Sequence, residues 1–216
     1  MERRKNAAAT PPGLRLYRGL LGVTEQARLL EEIAAIVRAA PLFTPRMPNT
    51  GRPFSVRMSN CGALGWVSDR EGGYRYQPRH PRTGRPWPPM PQMLRRLWGE
   101  LTGYPAPPEA ALINHYPPGA RMGLHVDADE QARDAPVLSI SLGDAATFRI
   151  GGPRRRDPTA SVRLHGGDVL LLGGAARHCH HGIDRIHPGT AAVPLPEEIG
   201  PGRLNITLRR VTPPAQ

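Results

Sequence analysis

The sequence predicts a mainly β domain, a sandwich or jelly roll flanked by helices. Three observations carry this. Short segments of alternating or continuous apolar character crowd the second half of the chain. Two earlier segments show a helical apolar stripe. Between them all, 26 prolines and 24 glycines cut the 216 residues into short pieces, as turns between strands require.

The first 13 residues and residues 212–216 read as tails, polar and lacking apolar periodicity. Residues 24–40 place Leu29, Leu30, Ile33, Ile36 and Val37 on one face, with Thr24 as N-cap and Pro41 as the stop. Residues 46–89 are rich in Arg, Pro, Gly, Tyr and Trp but poor in aliphatics. They read mostly as loop, with a hairpin around residues 54–60; so long an ordered loop is often a lid or binding surface. Residues 91–101 form a second helix, with Leu94, Leu97, Trp98 and Leu101 together and Pro91 in the first turn. Strands follow at 111–116, 136–142, 146–150, 168–172 and 203–211. Residues 136–142 set Val137, Ser139 and Ser141 against Leu138, Ile140 and Leu142. Residues 168–172 are a continuous apolar run, hence a buried strand.

Composition limits the function. No apolar run approaches the roughly 18 residues of a membrane span. Arg3, Arg4 and Lys5 precede no apolar stretch, which argues against a cleaved secretory signal. Two cysteines, Cys61 and Cys179, are too few for a disulfide scaffold, so a reducing cytoplasm is expected. Twenty-nine basic against 18 acidic side chains give a net charge of +11, and Lys5 is the only lysine. A coding bias toward Arg, Ala, Gly and Pro would produce this pattern. So would a polyanionic partner, because the guanidinium fork matches phosphate oxygens.

Four constellations carry chemistry. In His125-Val126-Asp127 the outer residues share one strand face. An imidazole and a carboxylate can then meet one metal, and a distant histidine would complete a facial triad suited to Fe(II). His178, His180, His181 and His187 are the candidates. Spacing does not choose among them, although His181 stands at the entry to a strand. Residues 203–209 alternate, with Leu204, Ile206 and Leu208 on one side and Arg203, Asn205, Thr207 and Arg209 on the other. The polar side is either a wet outer face or, in a closed β structure, a cavity lining that would hold a dicarboxylate. Asn114 and Tyr116 share a face just upstream and offer an amide and a phenol.

Together these residues resemble the AlkB family of iron(II)/2-oxoglutarate-dependent dioxygenases. The carrying motifs are Asn114-x-Tyr116-x-x-Gly119, His125-x-Asp127-x-Asp129-Glu130, His181-Gly182-Ile183, and Arg203-x-Asn205-x-Thr207 followed by Arg209. The segment from Ser59 to Trp66, the pair Tyr74-x-Tyr76, the triplet Pro86-Trp87-Pro88, and Arg155-x-Asp157-Pro158 are similar to the bacterial DNA-repair branch. The resemblance runs from about Leu14 to Arg210.

The resemblance implies a double-stranded β-helix with an N-terminal nucleotide-recognition lid. It places one dioxygenase domain at 14–211, the lid within about 45–90 and the catalytic β-core at about 110–211. It implies Fe(II) on His125, Asp127 and His181, and 2-oxoglutarate against Asn114, Tyr116, Arg203, Asn205, Thr207 and Arg209. It implies Trp66 as the base-stacking platform, Asp129 as the acid facing the damaged base, and Tyr74, Tyr76 and Arg155 as further substrate contacts. The family reaction turns 2-oxoglutarate and O₂ into succinate and CO₂ while hydroxylating a methyl on a base nitrogen. The resulting hemiaminal collapses to formaldehyde and the unmodified base. The expected substrate is 1-methyladenine or 3-methylcytosine in single-stranded DNA, with RNA left open, and size suggests a monomer. Two other readings stand beside it: an oxygenase acting on protein or a small molecule, and a non-catalytic nucleic-acid-binding β-domain.

Overall fold

The computed structural model describes residues 10–214. Its strands, in chain order, begin with β1 (Leu14–Tyr17), β2 (Arg57–Gly62), β3 (Gly65–Asp69), β4 (Gly73–Gln77) and β5 (Ala110–Tyr116). Then come β6 (Met122–His125), β7 (Val137–Gly143), β8 (Ala145–Ile150) and β9 (Ala160–Leu164). The last are β10 (Val169–Leu172), β11 (His181–His187) and β12 (Arg203–Arg209). Helices α1 (Val23–Ala39) and α2 (Gln92–Thr102) complete the frame.

A six-stranded antiparallel sheet has the order β1-β10-β7-β12-β5-β2, and a four-stranded sheet has the order β6-β11-β8-β9. Leu112, Val137, Leu170 and Leu172 from the first pack with Phe148, Ile150, Ile183 and Ile186 from the second. The two sheets therefore face each other, as the expected jelly roll requires. Each strand of the large sheet divides its side chains between two environments. Leu204, Ile206 and Leu208 of β12, with Leu138, Ile140 and Leu142 of β7, pack outward against Leu29, Ile33, Leu94 and Trp98 of the helices. The opposite face of β12 points between the sheets, and its Arg203, Asn205, Thr207 and Arg209 are all buried.

The structure departs from the sequence expectations at several elements. Helix α1 starts at Val23, and its N-cap is Gly22 rather than Thr24. The Glu25 carboxylate accepts the Gly22 N–H at 2.8 Å, so an acid reaching back replaces the hydroxyl cap. The hairpin expected around residues 54–60 lies later, as β3 paired to β4. Strand β2 instead pairs with β5 and forms an edge of the large sheet. A core strand therefore sits inside the stretch expected to be lid. Strand β12 ends at Arg209, because the Val211 carbonyl turns away to accept the N–H groups of Gln131 and Ala132.

The tails are held closer in than composition suggests. Carbonyls of Pro12 and Gly13 accept from Ala176 and Gly173, and Thr212 N–H donates to Glu109 at 2.7 Å. Most of the proposed N-terminal tail, residues 1–9, lies outside the described residues, as do residues 215–216.

Candidate metal and cosubstrate site

Strands β6 and β11 pair antiparallel, and His125 and His181 are register partners. Directly opposed residues project to the same face, so two distant imidazoles meet there, with ring centroids 4.6 Å apart. Asp127, two residues beyond His125, lies 3.7 Å from the Nε2 of each histidine. Ligand atoms of all three lie within 4.8 Å of one another.

Hydrogen bonds fix the tautomers. His125 Nδ1 stands 2.9 Å from the Gly123 carbonyl, and His181 Nδ1 3.0 Å from the Cys179 carbonyl. A carbonyl only accepts, so both Nδ1 atoms carry hydrogen and both Nε2 lone pairs are free to ligate. Burial pushes the His181 pKa down to about 4, which keeps the ring neutral. Burial alone would raise that of Asp127, but the Arg209 guanidinium beside it outweighs this and holds the carboxyl well below the usual range. Two imidazoles that present Nε2 and a carboxylate are the donor set of an open Fe(II) site.

The ambiguity among the four clustered histidines is thereby resolved. His181 joins the group; His178 is exposed, His180 is half-buried and outside the group, and His187 lies at the far end of β11 against Thr147. His115, between Asn114 and Tyr116 on β5, accepts from Arg57 at Nδ1, donates from Nε2 to the Pro201 carbonyl, and is structural.

The polar face of β12 leads away from the histidines. Arg203 is opposite Tyr116 on β5 and Gly143 on β7; Asn205 is opposite Asn114 and Ser141. Arg203 Nη2 donates to Ser141 Oγ at 2.8 Å, and Asn205 Nδ2 to Ser139 Oγ at 2.7 Å. Thr207 Oγ1 donates to Asn205 Oδ1 at 2.9 Å. Among the described residues, Arg203 Nε and Nη1, Arg209 Nε and Asn114 Oδ1 are buried without a partner. Burial drags the Arg203 pKa down to about 10 and lifts that of Tyr116 to about 12. Buried guanidinium donors without acceptors are costly, and an acid carrying two carboxylates would supply the acceptors. The residues fit 2-oxoglutarate.

Arg209 links this face to the metal group. Its Nη2 lies 2.8 Å from Asp127 and its Nη1 2.7 Å from Glu130. Glu130 is also paired to Arg177 at 2.8 Å, and neither side chain is appreciably exposed. Arg177 further donates to the Asp127 and Ala135 carbonyls, which braces the turn carrying Asp127. In the sequence Glu130 is only the last residue of the His125 motif, and Arg177 lies outside every motif. Periodicity gives no signal for either; only their burial does.

The β3–β4 hairpin supplies the aromatic residues. Trp66 pairs with Tyr76 and Ser68 with Tyr74 across the ladder, so all four share a face. Trp66 is mostly buried, stacks on Tyr74 at 5.6 Å and 21°, and donates from Nε1 to Asp129 at 2.7 Å. Tyr74 is half-exposed, whereas Tyr76 turns inward and donates to Glu130. Arg155 is exposed and donates to the Leu124 carbonyl, next to His125.

Comparison with known proteins agrees with this geometry. Residues 13–209 match the 2OG-Fe(II) oxygenase superfamily. The alpha-ketoglutarate-dependent dioxygenase AlkB homolog of Caulobacter vibrioides is 51% identical over 199 residues, covering 92% of this chain and 88% of that protein. The chain belongs to the AlkB family. Escherichia coli AlkB is 42% identical over 166 residues, covering 75% of this chain and 76% of its own. The solved structure of OsALKBH1 superposes with a TM-score of 0.76 at 28% identity, over 94% of this chain and 100% of that one. As an AlkB-family member the protein is an Fe(II)- and 2-oxoglutarate-dependent dioxygenase.

Proposed function

We propose that the protein repairs alkylated nucleobases, demethylating 1-methyladenine- and 3-methylcytosine-type lesions in single-stranded DNA, with RNA as a second polymer. The observation that carries this is the contact between Trp66 and Asp129. It sets an aromatic ring and a carboxylate side by side, two residues along the chain from Asp127. A stacking surface beside a negative charge suits a flat, cationic methylated base. The net charge of +11 suits its phosphate backbone.

In this reading His125, Asp127 and His181 hold Fe(II), and Arg203, Arg209, Asn205, Thr207, Asn114 and Tyr116 hold 2-oxoglutarate. The loaded metal supplies oxidation of an N-methyl group by O₂, coupled to decarboxylation of 2-oxoglutarate to succinate. The chain supplies the rest. The Nδ1–H bonds aim both imidazoles. Arg203 and Arg209 neutralise a diacid in a space from which water is largely excluded. Trp66 and Tyr74 receive a base that has left its stack, and the exposed Arg155, beside Leu124, meets a flanking phosphate. The lid is the β3–β4 hairpin with its flanking loops, within residues 45–90. No helix among the described residues is long and apolar enough to cross a membrane. The free thiols of Cys61 and Cys179 are buried, which suits a reducing cytoplasm, and we propose a monomer acting there.

The test is a single-turnover assay with a methylated single-stranded oligonucleotide, anaerobically loaded iron and 2-oxoglutarate. Formaldehyde and repaired base should form only with both, and Asp127→Ala should abolish them while oligonucleotide binding persists. Succinate without repair would move the substrate to protein or a small molecule. Equal loss of binding and turnover in Asp127→Ala would make the site structural.

A further inference from the structure

Tyr76 sits on the face that carries Trp66 and Tyr74, and the resemblance groups it with them as a substrate contact. Its geometry differs from theirs. The ring is largely covered, and the phenol donates to Glu130 while accepting from Arg209 Nη1 at 3.1 Å. Arg209 has few other restraints. Its Nη1 contacts Tyr76 and Glu130, its Nη2 contacts Asp127, and its Nε has no partner. Glu130 is itself pinned from behind by Arg177, whose remaining donors are spent on backbone carbonyls. The order of rigidity is therefore Arg177, then Glu130, then Arg209, with the phenol closing the arrangement from the hairpin side. A guanidinium that must meet a small diacid gains from being held before the ligand arrives.

We propose that Tyr76 and Glu130 are positioning residues for the cosubstrate: they orient Arg209 toward 2-oxoglutarate, and Tyr76 makes no contact with nucleic acid. This rests on the reading of Arg209 as a 2-oxoglutarate ligand. It divides the hairpin face by task. Trp66 and Tyr74 serve the base, and Tyr76 serves the acid.

The experiment is calorimetric binding of 2-oxoglutarate to protein loaded with Mn(II), which supports no turnover, together with separate titration of a methylated single-stranded oligonucleotide. Wild type, Tyr76→Phe and Glu130→Gln are compared, with thermal melts of the metal-loaded forms as the check on folding. Tyr76→Phe keeps the ring and its packing, so it should weaken 2-oxoglutarate about 5-fold, roughly the net worth of one ordinary hydrogen bond. Glu130→Gln should weaken it further, to about 10-fold or more. Both should bind the oligonucleotide as wild type does. Weaker oligonucleotide binding with unchanged 2-oxoglutarate binding in Tyr76→Phe would overturn the proposal and restore a substrate contact. Parallel weakening of both ligands with a lower melting point would overturn it in favour of a packing role. Failure of wild type to bind 2-oxoglutarate would instead refute the ligand reading of Arg209 beneath it.

Discussion

Arg203 is 1% exposed, and two of its three nitrogens have no acceptor. Its one side-chain partner, Ser141, is neutral. An isolated buried cation costs the fold several kcal/mol unless a counter-ion arrives. This gives Arg203→Met two opposite effects. The similar length of Met fills the space and removes the charge, so the ligand-free protein should melt higher. About 1 kcal/mol of gain corresponds to roughly 2–4 °C for a chain of this size. The same variant should lose the stabilisation that 2-oxoglutarate gives the wild type. Thermal melts of both proteins, with and without the acid, check this. A lower melting point for ligand-free Arg203→Met would mean that the guanidinium is satisfied in a way its hydrogen bonds do not show.

At the scale of elements, the metal group depends on how closely β6 approaches β11. Gly182 of β11 faces β6, and a Cβ there would stand 2.5 Å from the Met122 carbonyl oxygen and 2.9 Å from that of Gly123. Neither backbone atom can yield without moving β6, and the Gly123 carbonyl is also the one that orients His125. Gly182→Ala should therefore reduce Mn(II) or Fe(II) affinity by about 10-fold or more, as loss of orienting contacts does, while the large sheet stays folded. A metal titration beside a far-UV circular dichroism spectrum tests both halves.

Elements with a single strong period were legible in the sequence. The α1 stripe and the alternation in β7 and β12 are found within a residue or two of expectation. The open question about residues 203–209, whether the polar side faces water or a cavity, needed the opposing sheet to answer it. Elements of four or five residues, such as β1, β6 and β9, carry too few positions for a period to stand out. Strand β2 was hidden by its setting among turn residues. In the site, residue types that ligate metals were visible as a pattern, and choosing His181 needed the register with His125. Glu130 and Arg177 look like ordinary surface charges until their mutual contact is seen.

At the scale of the whole molecule, the arginine excess has two explanations, coding bias and a polyanionic partner, and a salt titration separates them. Affinity for single-stranded DNA should fall linearly on a log–log plot against salt concentration, with a slope of about −0.7 per phosphate neutralised. A flat response would leave composition as the explanation. Several arginines are already committed within the fold: Arg57 to His115, Arg177 to Glu130, Arg209 to Asp127 and Glu130. The slope should therefore reflect far fewer contacts than the 29 basic side chains allow.

The polar lining between the sheets bears on how long the protein lasts in a cell. Most β-sandwiches fill that layer with hydrocarbon. Here Arg203, Asn205, Thr207, Ser139 and Ser141 occupy part of it, and a bound diacid would complete the interior. Anything that binds only the native state stabilises it by an amount that grows with the logarithm of its concentration. On the proposed site, 2-oxoglutarate would act on the protein twice, once as fuel for turnover and once as ballast against proteases. A starved cell would hold not only a slower enzyme but a shorter-lived one.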